Sequence, residues 1–116
     1  MNLKIGVVGG RDITDKEYIF NVLKLCIHKN DTIISGGCYG VDSYAEQYAD
    51  SNHIELIMFP PLDEDGEKKF HERNKRIVLE SDLIIAFPSK NSKGTWDTVK
   101  LAKDNHKRII IINNFL

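Results

Sequence analysis

Three glycine-rich segments of the sequence carry the residue types that bind anions. They are residues 9–12 (Gly-Gly-Arg-Asp), residues 36–42 (Gly-Gly-Cys-Tyr-Gly-Val-Asp) and residues 94–97 (Gly-Thr-Trp-Asp). Glycine allows the backbone to turn sharply or to approach a ligand closely. Each segment leads into a helical pattern, and the N-terminus of a helix offers unpaired N–H groups and a partial positive charge. The three segments therefore predict a seat for a phosphate or another anion.

Four side chains in these segments have two interpretations each. Arg11 could grip a phosphate through its guanidinium, or pair at the surface with a carboxylate such as Asp12. Asp42 and Asp97 lie at predicted helix starts, where a carboxylate either accepts from a ribose hydroxyl or stabilises the helix dipole. Trp96 is the single tryptophan and could stack on a base or fill a subunit interface.

The glycine segments match neither of the two best-known phosphate motifs. No G-x-x-x-x-G-K-[ST] sequence occurs, which excludes a P-loop triphosphatase. Residues 6–11 do not form G-x-G-x-x-G, and no acidic residue after the second predicted strand is placed for an adenosine ribose, which disfavours a dinucleotide-dependent oxidoreductase. The histidines and cysteines show no metal-ligand spacing. We therefore expect neither a metal nor a resident cofactor.

Short apolar runs alternate with helical patterns along the chain. The predicted strands cover residues 3–8, 32–35, 54–59, 82–87 and 108–112. The predicted helices begin at a cap near residue 14 and near residue 41, and then cover residues 67–80 and 95–105. This order and the continuous apolar strands predict an α/β fold with a five-stranded parallel sheet and helices on both faces. Ligands of such sheets bind beyond the carboxyl ends of the strands, where the three glycine-rich segments fall.

Local patterns predict three further details. Thr14 and Glu17 form a capping box, which makes Thr14 the N-cap of the first helix. Residues 62–69 are polar and acidic, which indicates a surface loop. The third helix is expected to bury Phe70 on the same face as Ile77.

Length and composition are those of an ordinary globular protein. The chain has 116 residues and a formal net charge of -1, and this length predicts one domain spanning residues 1–116. The charge balance argues against broad coating of nucleic acid, for which a basic excess is typical. The longest apolar run, Ile109–Ile112, is far too short to cross a membrane, and the N-terminus has no signal-peptide pattern. We therefore expect a cytoplasmic protein without a membrane partner.

Five segments, in order, resemble one known superfamily. Residues 9–15 resemble its G-x-R-D-x-x-D turn, residues 35–45 its S-G-G-A-x-G-x-D-x-x-A segment, and residues 73–74 its R-N pair. Residues 81–88 resemble its S-D-x-x-I-A-F-P strand, and residues 93–99 resemble its G-T-x-D-x-V/A helix start. On these motifs the chain resembles the SLOG superfamily, in particular its small YspA-like members, over nearly its whole length.

The resemblance implies a Rossmann-like, three-layer α/β/α sandwich that binds nucleotides or nucleotide-derived ligands at the carboxyl edge of the sheet. Carried over onto matching positions, the expected ligand-binding residues are Gly9, Gly10, Arg11, Ser35, Gly36, Gly37, Gly40, Asp42, Arg73, Asn74, Pro88, Gly94, Thr95 and Asp97. The superfamily includes the lonely guy phosphoribohydrolases, DNA-processing protein A, which binds single-stranded DNA, and sensor domains that bind NAD-derived signals.

Three functions stay open at this point. The first is a sensor or sequestering protein for a nucleotide or a derivative, such as an NAD-derived or cyclic-nucleotide signal. The second is a phosphoribohydrolase that cleaves the N-glycosidic bond of a nucleoside 5'-monophosphate, with Arg73 and Asp97 as catalytic candidates. Its motif is incomplete, because the family's catalytic glutamate falls on Thr98. The third, binding of single-stranded DNA, is disfavoured by the near-neutral charge.

A second subunit is expected to complete the site. Loops on so small a domain form a shallow site, and a neighbouring subunit can supply one side of it. The resemblance adds that SLOG relatives commonly form dimers. We therefore expect a homodimer or a higher homo-oligomer, with Tyr44, Tyr48 or Trp96 exposed in the contact.

Overall fold

Five strands and four helices alternate along the chain in the computed structural model, which describes residues 2–116. The strands are β1 (Lys4–Gly9), β2 (Thr32–Ser35), β3 (Glu55–Met58), β4 (Leu83–Phe87) and β5 (Arg108–Ile111). The helices are α1 (Lys16–Cys26), α2 (Val41–Ser51), α3 (Lys69–Glu80) and α4 (Lys93–Asp104). Each strand end lies within one residue of its predicted position.

The strands form one parallel sheet in the order β3-β2-β1-β4-β5, which confirms the predicted five-stranded Rossmann-like fold. Ile5 of β1 pairs with Ile33 of β2 on one side and with Leu83 of β4 on the other. The chain moves outward from β1 through β2 to β3 and then returns to the other side of β1 with β4. The strand order therefore reverses between β1 and β4, and the carboxyl ends of these two strands form the topological switch point.

The two faces of the sheet carry separate apolar cores. Successive side chains of a strand point to opposite faces, so Val7 packs with α1 and α2, whereas Val8 packs with α3 and α4. Ile33 and Ile34 divide between the same two cores, and each is fully buried. The result is the expected three-layer arrangement, with burial on both faces explaining the continuous apolar strands.

The capping prediction for the first helix is wrong by one residue. Asp15, not Thr14, is the N-cap of α1, and its Oδ1 accepts a hydrogen bond from the Tyr18 backbone N–H at 3.1 Å. The Thr14 carbonyl instead accepts from the Lys16 N–H. A carboxylate is a charge-assisted acceptor and also interacts favourably with the helix dipole, which explains why Asp15 takes this position.

The segment before the third helix also differs from the prediction. Residues 63–68 form a 3₁₀ segment rather than a loop, with a kink at Gly66, where φ is 61°. The helix α3 begins at Lys69, and Phe70 is 44% exposed rather than buried. The polar pair Arg73 and Asn74 takes the inner face of α3 above Ile77, and Phe70 therefore lies at the solvent edge.

The three aromatic residues expected to be exposed at a subunit contact differ in their exposure. Tyr48 is buried and its ring packs edge-on against Phe20, with the ring centroids 5.3 Å apart, and Tyr44 is half-buried. Trp96 remains 41% exposed. Within residues 2–116, none of the helices combines the length and apolar character needed to span a bilayer.

Candidate functional site

A cavity of about 540 Å³ opens at the switch point of the sheet. Four parts of the chain form its walls: the end of β1 with the turn that follows it, the β2–α2 turn, α3, and the β4–α4 loop with the first turns of α4. Its lining residues are Val8, Gly9, Gly10, Arg11, Asp12, Cys38, Asp42, Arg73, Asn74, Ile77, Lys90, Asn91, Ser92, Lys93, Gly94, Thr95 and Thr98.

The cavity brings together part of the predicted set. The predicted residues that line it are Gly9, Gly10, Arg11, Asp42, Arg73, Asn74, Gly94 and Thr95. The predicted residues outside its lining are Ser35, Gly36, Gly37, Gly40, Pro88 and Asp97. The sequence prediction did not include Cys38, Lys90 of the β4–α4 loop or Lys93 at the start of α4, because these residues belong to no phosphate motif.

Gly36 and Gly40 shape the cavity without lining it. Gly40 has a φ of 69°, and a Cβ on it would lie 2.7 Å from the Arg11 carbonyl oxygen. The β2–α2 turn can therefore pack directly on the β1–α1 turn only with glycine at this position. A Cβ on Gly36 would lie 2.8 Å from Arg73 Cζ and 3.1 Å from Asp42 Oδ2, so this glycine makes room for both charged groups.

Arg73 is the most unusual charged residue of the site. Its side chain extends from α3 and forms part of the cavity wall, and the residue is only 6% exposed. Its Nη1 donates to the Gly36 carbonyl oxygen at 2.6 Å and its Nε donates to Asn74 Oδ1 at 3.0 Å, whereas Nη2 has only a weak contact with Cys38 Sγ at 3.7 Å. No carboxylate of residues 2–116 lies within 4.0 Å of the guanidinium.

Asp42 lies on the first turn of α2 and is 7% exposed. Its Oδ2 accepts a hydrogen bond from the Cys38 backbone N–H at 3.1 Å. Burial raises the pKa of Asp42 to about 6, and the Cys38 N–H and the positive charge of Arg73 oppose that rise without cancelling it. A carboxyl group that changes charge near pH 6 thus borders the cavity.

The N-terminus of α4 opens into the cavity without an acidic or capping side chain. Ser92 precedes the helix, but its Oγ is hydrogen-bonded to the backbone of Ser89, at 2.7 Å from the carbonyl oxygen and 2.9 Å from the nitrogen. Thr95 is 5% exposed and lines the cavity with its hydroxyl-bearing side chain. Lys90 and Lys93 are exposed, with no carboxylate within 4.0 Å in the same range. These groups can donate to an anion.

Asp97 lies outside the cavity lining, and its carboxylate contacts two side chains. Its Oδ2 accepts from Asn74 Nδ2 at 3.0 Å, and His71 Nδ1 lies 2.9 Å from the same oxygen. The interaction with Asn74 joins α4 to α3. Asn74 thus stands between Asp97 and Arg73, and Asp97 is not among the residues that line the cavity.

Phe70 forms part of a basic and aromatic edge beside the cavity. The Cζ atoms of Arg11 and Arg73 lie 5.6 and 5.8 Å from the centroid of the Phe70 ring, and Lys69 Nζ lies 5.5 Å from it. Such distances permit cation–π contacts, and the ring itself remains accessible. Residues 2–116 contain no group of three His, Cys, Asp or Glu side chains arranged to hold a metal ion.

The fold and the site define a class: a Rossmann-like domain with a cationic cavity at the switch point of its sheet. A family model described as the YspA, cpYpsA-related SLOG family matches residues 3–64, and the chain belongs to this family. A search of curated protein sequences finds no match to the chain.

Solved structures with the same fold share little sequence with this chain. DNA processing protein A from Helicobacter pylori, described as binding single-stranded DNA, is 19% identical with a TM-score of 0.79 over 98% of this chain and 66% of its own. The protein of the same name from Streptococcus pneumoniae is 17% identical with a TM-score of 0.84 over 98% of this chain and 51% of its own. A protein designated TM1055 is 19% identical with a TM-score of 0.68 over 92% of this chain and 72% of its own. The present chain thus spans half to two-thirds of the two DNA processing proteins.

Proposed function

We propose that the chain binds a phosphate-bearing nucleotide or nucleotide derivative in the switch-point cavity, as a sensor or sequestering protein. The observation that carries the proposal is the guanidinium of Arg73, which is buried in the cavity wall with no carboxylate of residues 2–116 within 4.0 Å. Burial of a charge is costly unless a partner compensates it. An anionic ligand in the cavity would supply that partner.

The first turn of α4 supports a phosphate position on the other side of the cavity. Its backbone N–H groups lack an acidic neighbour in the first turn, and Thr95, which is 5% exposed, lines the cavity beside them. Lys90 and Lys93 add positive charge at the rim. Four cations and two carboxylates line the cavity, so it is locally positive although the whole chain carries -1.

The other lining residues suit the nucleoside part of such a ligand. Asp12 and Asp42 offer carboxylate oxygens to ribose hydroxyl groups. The volume of about 540 Å³ lies within the usual range for small-molecule sites, roughly 300–1,000 Å³. The exposed ring of Phe70 could stack on a base at the mouth.

Thermal unfolding with candidate ligands tests the proposal. We would add AMP, ADP-ribose, NAD or inorganic phosphate to the wild type, to Arg73→Met and to the control Arg76→Met, which is also on α3 but pairs with Asp65 instead of lining the cavity. A ligand at one hundred times its Kd should stabilise the wild type and the control by about 2.7 kcal/mol and leave Arg73→Met unaffected. Stabilisation by none of these compounds would contradict the proposal.

Hydrolysis of the N-glycosidic bond is the alternative, and the position of Asp97 weighs against it. Asp97 lies outside the cavity lining and already accepts from His71 and Asn74, so the carboxylates nearer to a ligand are Asp12 and Asp42. Chromatography of AMP incubated with the protein should reveal no free adenine. Release of adenine that is lost in Asp42→Asn would instead establish a hydrolase with Asp42 in the acid or base role.

Binding of single-stranded DNA is a second candidate that one observation favours. An accessible aromatic ring surrounded by cations is typical of sites on which unpaired bases stack, and Phe70 has three cations within 5.8 Å. The fold is shared with DNA processing protein A, described for Helicobacter pylori as a single-stranded DNA binder. Anisotropy of a labelled oligothymidylate, measured at several salt concentrations, separates this candidate from mononucleotide binding.

We also propose that the chain acts as a homodimer or homo-oligomer in the cytoplasm. Trp96 is 41% exposed and follows Thr95, which lines the cavity, so a subunit seated on Trp96 would approach the ligand. Light scattering should give at least twice the monomer mass of 13.3 kDa, and a lower mass for Trp96→Ser. A monomer at high micromolar concentration would refute the oligomer.

A further inference from the structure

The contacts of Asp97 lead to Arg73 in two steps. Asn74 stands between them: its Nδ2 donates to Asp97 Oδ2 at 3.0 Å, and its Oδ1 accepts from Arg73 Nε at 3.0 Å. Asp97 itself is 31% exposed at its side chain and lies outside the cavity lining, whereas Arg73 and Asn74 line it. The carboxylate is thus placed to act on the cavity through the amide.

We propose that Asp97 is a positioning residue that fixes the orientation of the Asn74 amide. The Arg73 guanidinium is then held through Nε and Nη1, and its Nη2 is left to donate to the anion. This inference rests on the proposed function, because it assigns the role of Arg73 to anion binding. It replaces the expectation that Asp97 itself takes part in chemistry on the ligand.

The orientation of the amide follows from the acceptors around it. Asp97 Oδ2 and the Gly94 carbonyl oxygen, at 3.0 and 3.4 Å from Nδ2, are groups that only accept hydrogen bonds. They require the NH₂ end of Asn74 on their side and leave Oδ1 facing the Arg73 Nε–H. Removal of the carboxylate deletes the stronger of the two acceptors, so only the longer contact with the Gly94 carbonyl oxygen still holds the NH₂ group and the amide is less firmly fixed.

The same amide also connects the two anion-binding elements. The Gly94 carbonyl oxygen belongs to the first turn of α4 and also accepts from Thr98 Oγ1 at 3.0 Å. Asn74 therefore ties Arg73 on α3 to the helix terminus that would receive a phosphate. The loss of this tie should affect affinity for the anion more than it affects the fold.

A double-mutant cycle separates positioning from a general structural role. The variants are Asp97→Ala, Asn74→Ala and the double variant, with AMP affinity measured by calorimetry. Asp97→Ala should weaken binding about tenfold in the wild-type background, because a hydrogen bond to a charged group is lost, and less than twofold when Asn74 is already alanine. The control Asp104→Ala, also on α4 but paired only with Lys100, should change affinity less than twofold. Equal losses in both backgrounds would overturn the inference.

A second readout needs no ligand. The Nε–H of Arg73 should exchange slowly with water in the wild type and in Asp104→Ala, and at least tenfold faster in Asp97→Ala, as measured by ¹⁵N NMR with the resonance assigned through Arg73→Lys. Asp97→Leu, which also lacks an acceptor, replaces the alanine variant if that variant is unfolded by circular dichroism. If AMP fails to bind but the exchange rates change as expected, the proposed function fails and the positioning role stands. If AMP binds and neither readout changes in Asp97→Ala, the positioning role is wrong.

Discussion

The stability of the protein should fall between pH 4.5 and pH 7.5 because of Asp42. Burial raises the pKa of this carboxyl from 3.8 to about 6, so in the lower part of this range the folded state binds a proton that the unfolded state has released. A raised carboxyl pKa favours folding at low pH, and that contribution is lost as the pH rises through 6. The shift corresponds to about 3 kcal/mol in total, of which about 2 kcal/mol falls between pH 4.5 and pH 7.5.

The variant Asp42→Asn isolates this contribution, since asparagine does not titrate. Urea unfolding of both proteins at pH 4.5, 5.5, 6.5 and 7.5 gives a difference in free energy at each pH, and carboxyl groups common to both proteins cancel in it. The wild type should lose about 2 kcal/mol relative to the variant across the series. The side-chain ¹³C resonance of Asp42 should titrate with a midpoint near 6. A flat difference, or one in which the wild type gains stability with rising pH, would refute the reasoning, because it would mean that Arg73 outweighs burial.

The remaining predictions concern glycine and aromatic side chains. Gly36→Ala should cost about 2 kcal/mol of unfolding free energy, because its Cβ displaces the guanidinium of Arg73 from the Gly36 carbonyl oxygen. Gly94→Ala should stabilise by about 0.5–1 kcal/mol, since its Cβ meets nothing within 4 Å and alanine favours the helix. Equal effects of the two in urea unfolding would contradict at least one of these predictions. Phe70→Leu should lower affinity for oligothymidylate about tenfold in fluorescence anisotropy, and an unchanged affinity would count against the single-stranded DNA candidate.

The strands could be predicted from the sequence because a strand that is buried on both faces appears as a continuous run of apolar residues. Thr32–Ser35 is predicted to the residue, since an apolar pair there is bounded by a polar segment and by two glycines. Helix starts are harder to predict because neighbouring oxygen side chains compete for the same N–H groups. Thr14 and Asp15 are both good caps by type, and only the geometry of the turn shows that Asp15 reaches the Tyr18 N–H.

The site was less predictable than the fold for a different reason. An amphipathic pattern counts apolar residues, so it places Phe70 in the core and leaves Arg73 and Asn74 in solvent. The structure reverses this arrangement because Gly36, Gly94 and Asp97 supply acceptors for the polar pair, and those residues are distant in sequence. Only the resemblance to a family pointed to Arg73 and Asn74. Lys90 of the β4–α4 loop and Lys93 at the start of α4 match no phosphate-binding motif in the sequence.

Two buried charges of opposite sign lie close together at this site and do not neutralise each other. A Cβ on Gly36 would approach both Arg73 Cζ and Asp42 Oδ2, yet the two groups form no ion pair within 4.0 Å. Direct pairing would lower the cost of burying each charge. The protein instead bonds Arg73 to neutral oxygens and Asp42 to a backbone N–H, which leaves part of each charge uncompensated. The ligand proposed above, with a phosphate and hydroxyl groups, would satisfy both residues, so its binding would remove a cost that the folded state carries without it.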